Sequence, residues 1–197
     1  IYDLHERVLP DWDDSNLPAL NEVYRQFILK TVRALGVARP AWIADYFRVN
    51  KKTVASLLPE LIRCGQLCEV AVEGWAEPAL YLPEQETLLH AAMDGKLEAT
   101  HTTLLSPFDP LVWDRARTRQ LFNFDFSIQC YLPAEKRTYG YFPLPILHNG
   151  ELIGRLDAKA RRKEGVFEVK SIYFEKNVTP DRTIANALAE AVIACAA

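Results

Sequence analysis

The residues of this sequence that are best placed to do chemistry are basic, and they cluster. Between residues 111 and 163 there are ten Lys and Arg against five Asp and Glu, although the whole chain has a formal net charge of −3. Arg115 and Arg119 are four residues apart in that stretch, so a helix would place them on one face. This local excess of positive charge indicates a surface that binds a polyanion such as nucleic acid.

Two turns predicted in the same stretch carry adjacent basic residues. Lys136-Arg137 is expected at the tip of a hairpin flanked by tyrosines, and Arg161-Arg162 at the next turn. A basic turn beside aromatic rings suits contact with phosphates together with stacking on, or wedging beside, bases. The alternative is that the tyrosines pack on neighbouring strands and the charges are only solvated. The residues of this stretch predicted to bind DNA are Arg115, Arg119, Lys136, Arg137, Tyr139, Arg161 and Arg162.

A second candidate lies at the start of a helix predicted over residues 51–63. Lys51, Lys52 and Thr53 fall on its first turn, away from its apolar stripe, and Asn50 is its expected N-cap. Helix-turn-helix proteins place the corresponding helix in the DNA major groove. Lys51, Lys52 and Thr53 are therefore predicted DNA contacts, with a solvated scaffold surface as the alternative.

Two neighbouring features oppose that second prediction. Pro59 lies inside the helix and is expected to bend or loosen it, because proline removes a backbone donor. The hairpin that follows is acidic, with Glu69, Glu73 and Glu77 around Trp75, where phosphate contact would favour Lys or Arg. That hairpin is expected to pack on protein.

The remaining reactive side chains form no catalytic or metal-binding pattern. The four cysteines, at 64, 68, 130 and 195, include no Cys-x-x-Cys pair, and no histidine is spaced to complete a zinc site. Asp109, Asp114 and Asp157 could do acid-base chemistry, but turn-forming or capping roles are expected for them. The prediction is therefore no catalytic residue, no metal and no cofactor within this sequence.

Hydrophobic periodicity places these residues on two predicted domains. Residues 1–18 are acidic and contain two prolines, which favours an extended connector. Residues 19–82 predict a winged helix-turn-helix domain, with helices over 20–35, 40–47 and 51–63 followed by a hairpin of strands over 67–72 and 79–82. Residues 83–101 predict a connecting helix, beginning at Pro83 and ending near Gly95.

Residues 102–197 predict a β-rich, barrel-like domain that ends in a helix. Asn149-Gly150 is a strong two-residue hairpin signal because both positions tolerate positive φ. The fold class expected for the chain is α+β, a winged helix-turn-helix followed by an antiparallel β-barrel-like domain with flanking helices. The elements expected in this half are strands over 102–105, 124–132, 137–147, 151–160 and 166–174 and helices over 114–122 and 180–194.

Composition places the chain among ordinary globular proteins, with 49% hydrophobic and 25% charged residues. No apolar run approaches the roughly 18 residues of a membrane span, so a cytoplasmic protein without a membrane partner is expected. The only methionine is Met93, and the sequence opens on Ile1, which leads us to expect a piece of a longer protein.

Long phrases of the sequence resemble a known family. Residues 104–165 begin LLSPFDPLVWDRARTRQ and continue through KRTYGYFPLPIL, and residues 2–10 read YDLHERVLP. Residues 104–165 are similar to the C-terminal region of the winged-helix DNA glycosylases related to AlkZ and YcaQ, and YDLHERVLP resembles a segment in the middle of those proteins. The family was earlier catalogued as a winged-helix DNA-binding family of unknown function. The resemblance extends over the whole chain.

The resemblance implies an enzyme that hydrolyses the N-glycosidic bond of alkylated or crosslinked bases in base excision repair. The family's catalytic Gln-x-Gln or Gln-x-Asp motif is expected upstream, so Gln129 and Asp125 are not assigned that role. The expected partners are damaged double-stranded DNA and the missing N-terminal half of the same protein, and the fragment alone is expected to be inactive. The alternatives are a winged-helix transcription regulator and a non-catalytic structural module.

Overall fold

The computed structural model describes residues 3–196, except for the side chains of Glu6 and Asp14. The chain divides into two compact units between His90 and Ala91. Glu6 and Asp14 are acids of the predicted connector, and their side chains lie outside the described part of the chain. Residues 1 and 2 lie outside it entirely. Across residues 3–196, no helix is both long enough and apolar enough to cross a membrane.

The first unit contains helices and one two-stranded antiparallel sheet. Its central helix ends where Gly36 adopts a φ of 75° and returns its N–H to the Val32 carbonyl. The core is formed where the apolar stripes of three helices meet the hairpin, and it includes Ile28, Val32 and Leu61. The elements are α1 (His5–Val8), α2 (Leu20–Leu35), α3 (Pro40–Tyr46), α4 (Lys51–Arg63), β1 (Cys68–Val70) and β2 (Ala79–Tyr81), and α5 (Glu86–Met93) spans the boundary to the second unit.

The predicted helices and hairpin of this unit form close to their expected bounds, and α4 runs through Pro59 to Arg63. The prediction of an extended connector over residues 1–18 is wrong for two stretches. The Asp3 carboxylate accepts a bond from the Leu4 N–H, next to α1, and the Asp13 carboxylate accepts bonds from Ser15 within a short 3-10 turn. Local hydrogen bonds to these aspartates thus accompany structure that the acidic, proline-containing composition did not predict.

The connecting helix predicted within residues 83–101 begins as a 3-10 turn over Pro83–Gln85, continues as α5 and ends at Met93. The Gly95 N–H bonds to the Ala92 carbonyl, and Gly95 has a φ of 67°, so the chain leaves the helix close to the glycine where an end was expected.

The second unit is built on one antiparallel sheet of four strands in the order β3-β4-β5-β6. The sheet has two edges, β3 and β6, so it is an open antiparallel sheet and not a closed barrel. The Asn149-Gly150 turn between β4 and β5 is confirmed, with both residues at positive φ. The elements are β3 (Thr102–Leu104), α6 (Arg115–Phe122), β4 (Leu144–His148), β5 (Glu151–Arg161), β6 (Val166–Phe174) and α7 (Arg182–Ala196).

Two predicted strands of this unit are wrong. Residues 124–132 form no strand, and of residues 137–147 only the part from Leu144 onward is in the sheet. Lys136-Arg137 consequently does not form a hairpin tip, because Lys136 ends a 3-10 turn over Ala134–Lys136. The physical reason is that the buried Gln129 side chain accepts the backbone N–H groups of Thr138 and Tyr139, which a strand ladder would otherwise use.

Strand β5 separates an apolar layer from a polar one. Leu156 packs with Ile146 and Leu188 in the core beside α7. Arg155 and Asp157 flank Leu156 and therefore point to the opposite face of the sheet. They are only 4% and 6% exposed, respectively. The irregular segment that replaces the predicted strands covers both side chains, with Tyr139 on Arg155 and Gly140 against Asp157.

Candidate nucleic-acid interface

The helix start that carries Lys51, Lys52 and Thr53 forms where it was predicted. The Asn50 carboxamide oxygen accepts bonds from the backbone N–H of Lys52 at 2.8 Å and of Thr53 at 3.4 Å, which confirms the N-cap. Lys51 and Lys52 are exposed and Thr53 is half-buried. Among the described residues neither lysine has an ion-pair partner, so both ammonium groups face solvent.

The acidic hairpin beside α4 packs on its own unit. The Trp75 ring meets the Trp42 ring of α3 edge-on, with centroids 5.0 Å apart. The Arg39 guanidinium lies 5.8 Å from the Trp75 centroid and 3.7 Å from the Glu77 carboxylate. The hairpin is therefore held against α3 by an aromatic contact and an ion pair within the same unit.

In the second unit, the three arginines of α6 lie on two different faces of the helix. Asp114 caps the helix by accepting the N–H groups of Ala116 and Arg117 at 3.0 and 3.2 Å, so its predicted place at the helix start is confirmed. Arg117 is fully buried and its guanidinium donates to the Pro110 carbonyl, which gives it a structural role. Arg115 and Arg119 are exposed on the other side of the helix.

An open cleft of about 460 Å³ lies beside Arg115 and Arg119. The Arg119 Nε donates to the Asp125 carboxylate at 2.7 Å. The Arg155 guanidinium donates to the Asp125 carbonyl at 2.9 Å and to the Glu175 carboxylate at 2.5 Å. Three arginines and two carboxylates therefore share one cleft, with a net positive charge. The lining residues are Arg115, Arg119, Asp125, Phe126, Ser127, Tyr139, Arg155 and Glu175.

Arg155 is the central residue of this cleft, and the sequence reasoning counted it only as one more base. Its guanidinium carbon lies 4.3 Å from the Phe124 ring centroid and 4.2 Å from the Tyr139 ring centroid, so it is stacked between two rings. An arginine in the middle of the apolar strand Leu152–Leu156 was the sequence signal that could have identified it.

Tyr139, a predicted DNA contact, lines the cleft but is also part of its framework. Its ring packs on Arg155 and meets the Tyr173 ring edge-on at 5.3 Å. Its backbone N–H donates to the buried Gln129 side chain at 2.9 Å. Next to it, Gly140 has a φ of 101°, and a Cβ at that position would overlap the Asp157 carboxylate. Tyr139 is therefore held by the contact of its ring with Arg155 of β5 and by the bond from its backbone to Gln129.

The predicted pair Lys136-Arg137 lies on residues 130–138, which we call the tyrosine loop. The Arg137 Nε donates to the Leu132 carbonyl at 2.9 Å, and its guanidinium carbon lies 4.9 Å from the Tyr141 ring centroid. Lys136 is exposed, and within the described part of the chain it has no ion-pair partner. Arg137 thus shapes the loop, while Lys136 presents a charge to solvent.

The second cationic turn is partly neutralised within the protein. The Arg161 Nε donates to the Glu168 carboxylate at 2.8 Å, and its other nitrogen lies 3.8 Å from Glu164. The hydrogen bond from Arg161 holds the pKa of Glu168 below its ordinary value and raises the pKa of Arg161. Arg162 is exposed and, over residues 3–196, has no ion-pair partner.

The structure brings together only some of the predicted contacts. Arg115, Arg119 and Tyr139 line one cleft, whereas Arg161 and Arg162 lie at the far end of β5. Lys51, Lys52 and Thr53 belong to the other unit. In the part of the chain that the structure describes, no group of three His, Cys, Asp or Glu side chains could hold a metal ion.

Comparison with known proteins is consistent with a nucleic-acid role. The family model described as DNA glycosylase AlkZ-like matches residues 1–197. No solved structure matches the chain.

Proposed function

This chain belongs to the AlkZ-like DNA glycosylase family, and we propose that it supplies the DNA grip and scaffold of a glycosylase acting on alkylated or crosslinked bases. Such an enzyme hydrolyses the N-glycosidic bond, which requires a positioned water. The sequence contains neither Gln-x-Gln nor Gln-x-Asp. We therefore propose that the residues that position the water lie outside these 197.

The observation that carries this proposal is the arginine cleft of the second unit. Arg115 is exposed at its rim and has no ion-pair partner among the described residues, so its guanidinium is available to a phosphate. Arg119 shares its charge with Asp125 and lies on the same helical face. A planar guanidinium pair four residues apart suits adjacent phosphate oxygens of a DNA backbone.

The other side chains of the second unit have different roles in the proposal. Lys136 adds a phosphate contact from the tyrosine loop, and Arg162 adds one from the β5–β6 turn. Arg137, Tyr139 and Arg161 act mainly through the protein, since each already has a stacking or hydrogen-bonding partner. Their effect on DNA affinity is to keep the loops in place.

The first unit is proposed to be a winged helix-turn-helix domain. Three helices followed by a two-stranded hairpin occur in the required order, and α4 begins with a capped, cationic first turn. Lys51, Lys52 and Thr53 then contact DNA through phosphates or base edges. The hairpin contributes packing, because it is acidic and held on α3.

Duplex binding by the chain, measured by fluorescence anisotropy across a range of salt concentrations, tests the DNA grip. Arg115→Ala with Lys136→Ala is expected to weaken binding and to lower the salt slope by about one for each phosphate that the variant no longer neutralises. Arg182→Ala, which removes an exposed arginine at the start of α7, is the matched control. No binding at low salt would contradict the proposal.

Base release tests the glycosylase assignment. A protein that joins this chain to a segment with the family's Gln-containing motif is incubated with duplex DNA bearing an N7-alkylated purine or an interstrand crosslink. We expect release of the modified base, and weaker release in the Arg115→Ala, Lys136→Ala variant. Absence of release from the joined protein would exclude this activity.

The second candidate is a winged-helix transcription regulator. It is favoured by Lys51 and Lys52, which face solvent on the first turn of a capped helix. A regulator would bind duplexes sequence-selectively, would lose that selectivity with Lys51→Ala and Lys52→Ala, and would be unaffected by Lys136→Ala. The same anisotropy series on duplexes of different sequence separates the two functions.

A further inference from the structure

The tip of the tyrosine loop exposes two large apolar side chains side by side. Tyr131 is 83% exposed and Leu132 is 40% exposed. Leaving adjacent large apolar side chains in water is unfavourable, so a surface of this kind is commonly one that a partner covers.

The loop that presents them is held in shape by hydrogen bonds at its base. The Leu132 N–H donates to the Gln129 carbonyl at 3.0 Å, and the Arg137 side chain returns to the Leu132 carbonyl at 2.9 Å. Gln129 closes the loop by accepting the N–H of Thr138 at 2.8 Å. Tyr131 is therefore displayed on a preorganised loop, which reduces the entropy lost when a partner binds.

The base of the loop is docked on the polar face of β5. Tyr139 packs on the buried Arg155, and the Gly140 backbone lies directly against Asp157. The display of Tyr131 is thus tied to the same residues that build the arginine cleft. A force on the loop tip would be transmitted to β5 through these contacts.

The charges around the loop tip identify the kind of partner. Lys136 is exposed without an ion-pair partner among the described residues, and Arg137 lies between the tip and Tyr141. Glu135 is the single acid on residues 130–138, which leaves the loop with a net positive charge. An exposed aromatic ring and a solvated cation on one loop are the combination that binds a base and its neighbouring phosphate.

We propose that the tyrosine loop is a wedge, in which Tyr131 stacks on a base exposed at an unpaired or damaged step and Leu132 fills the gap left in the duplex. Lys136 holds the phosphate beside that step. This inference rests on the proposed DNA-binding function and adds the structural state of DNA that the loop selects. Regularly stacked DNA offers no opening for the two side chains, whereas a mismatched or damaged step is already partly unstacked.

The test uses the chain with two duplexes, one fully paired and one with 2-aminopurine next to a mismatch. Unstacking raises 2-aminopurine fluorescence, so the chain should brighten the mismatched duplex. Tyr131→Ala should abolish the brightening and weaken binding to that duplex by at least about fivefold. Binding to the paired duplex should change by less than about twofold, because phosphate contacts dominate there.

Control variants separate stacking from folding and from chance. Tyr131→Phe keeps the ring and should retain the brightening, while Leu132→Ala should reduce it. Ile193→Ala removes a side chain that is 69% exposed on α7 and should change nothing. Hydrogen exchange of residues 130–138 should be unchanged in Tyr131→Ala, since the ring makes no bond that closes the loop.

The failures of the two proposals are distinguishable. A chain that binds neither duplex contradicts the proposed function itself. A chain that binds both but brightens the mismatched duplex equally with Tyr131→Ala overturns the wedge alone. A chain whose self-association, measured by sedimentation, is lost in Tyr131→Ala while the brightening persists shows that a second copy covers the loop, which also overturns the wedge.

Discussion

Two groups of basic residues, one at the start of α4 and one in the second unit, are held in opposite ways. At the start of α4, Lys51 and Lys52 extend into solvent from a capped helix and are bound by no carboxylate of the described chain. In the second unit, Arg119, Arg155 and Arg161 are each hydrogen-bonded to an acid, and Arg155 is stacked between rings as well.

Solvated and paired basic residues therefore have different roles: the first attract an anionic partner, and the second fix the position of neighbouring loops. A solvated lysine contributes long-range attraction that salt screens, and it loses side-chain entropy when it binds. An arginine that is already paired and stacked contributes little net attraction but fixes the loops around it. The structure therefore predicts that removing an unpaired charge, such as Lys51 or Arg115, mainly affects binding, whereas removing the paired and stacked Arg155 mainly affects stability.

Arg155→Ala is the change expected to have the largest effect. It removes a buried guanidinium from between Phe124 and Tyr139 and leaves Glu175 without its partner, at a cost of about 2–4 kcal/mol of unfolding free energy. Chemical denaturation measures the total loss of unfolding free energy. Hydrogen exchange should show lost protection in peptides after residue 91 and unchanged protection before it.

Arg119→Ala is the matched control for Arg155. Its ion pair with Asp125 is largely exposed, so removal should cost less than about 1 kcal/mol. Equal effects of the two substitutions would mean that burial and stacking of Arg155 add nothing, and the distinction between exposed and buried charge would fail.

Gly140→Ala is expected to have the next largest effect, about 1–3 kcal/mol. The backbone there has a φ of 101°, and the added methyl would overlap Asp157. Combining it with Asp157→Ala should recover part of the loss by removing the overlap. Gly165 has a φ of 65° and open space around it. The smaller loss of unfolding free energy expected for Gly165→Ala therefore measures the effect of the positive φ alone.

Asn50→Ala tests the first unit and should cost about 1 kcal/mol, because α4 loses its capping acceptor. Asn50→Ser should keep most of the stability. Hydrogen exchange should report the change in α4 peptides, with residues after 91 unaffected. A destabilisation that spreads into the second unit would show that the two units do not respond separately.

Removing either of two exposed ion pairs, one in each unit, should lower the free energy of unfolding less than any change above. The two removals should have about equal effects. Hydrogen bonds from arginine lower the pKa of Glu168 in the second unit and of Glu84 in the first. A lowered pKa in the folded state means that the stabilisation is present at neutral pH and is lost as the pH falls below the ordinary glutamate value of about 4.3.

Glu168→Gln and Glu84→Gln measure this pH dependence. Each should lower stability slightly at pH 7, and the difference from wild type should shrink as the pH falls through the lowered pKa of the folded-state carboxylate. A difference that does not shrink on acidification would show that the side chain acts through packing and not through its charge.

Local patterns predicted much of the fold. The apolar stripes and the Gly36 stop gave α2 and α4, and Asn50 and Asp114 were correctly placed at helix starts. Asn149-Gly150 correctly predicted the β4–β5 turn. These features depend on interactions within a few residues, so the sequence carries them directly.

The candidate site was predicted less completely. Arg115, Arg119 and Tyr139 were selected separately, and the structure places them in one cleft, but Arg155 and Glu175 were missed as members of it. Residues 124–132 alternate like a strand, yet the Gln129 side chain takes the N–H groups of Thr138 and Tyr139. Hydrophobic periodicity carries no information about a side-chain hydrogen bond between residues nine positions apart.

The sequence by itself determined the element order, the helix caps, the turn at Asn149-Gly150, the local excess of basic charge and the family resemblance. Only the tertiary structure decided which charges are solvated and which are paired, that Arg155 is stacked beneath Tyr139, and that Tyr131 stands exposed on a closed loop. The physical reason is range: caps and turns are settled by neighbours in the chain, whereas burial, stacking and ion pairing depend on residues brought together from distant segments.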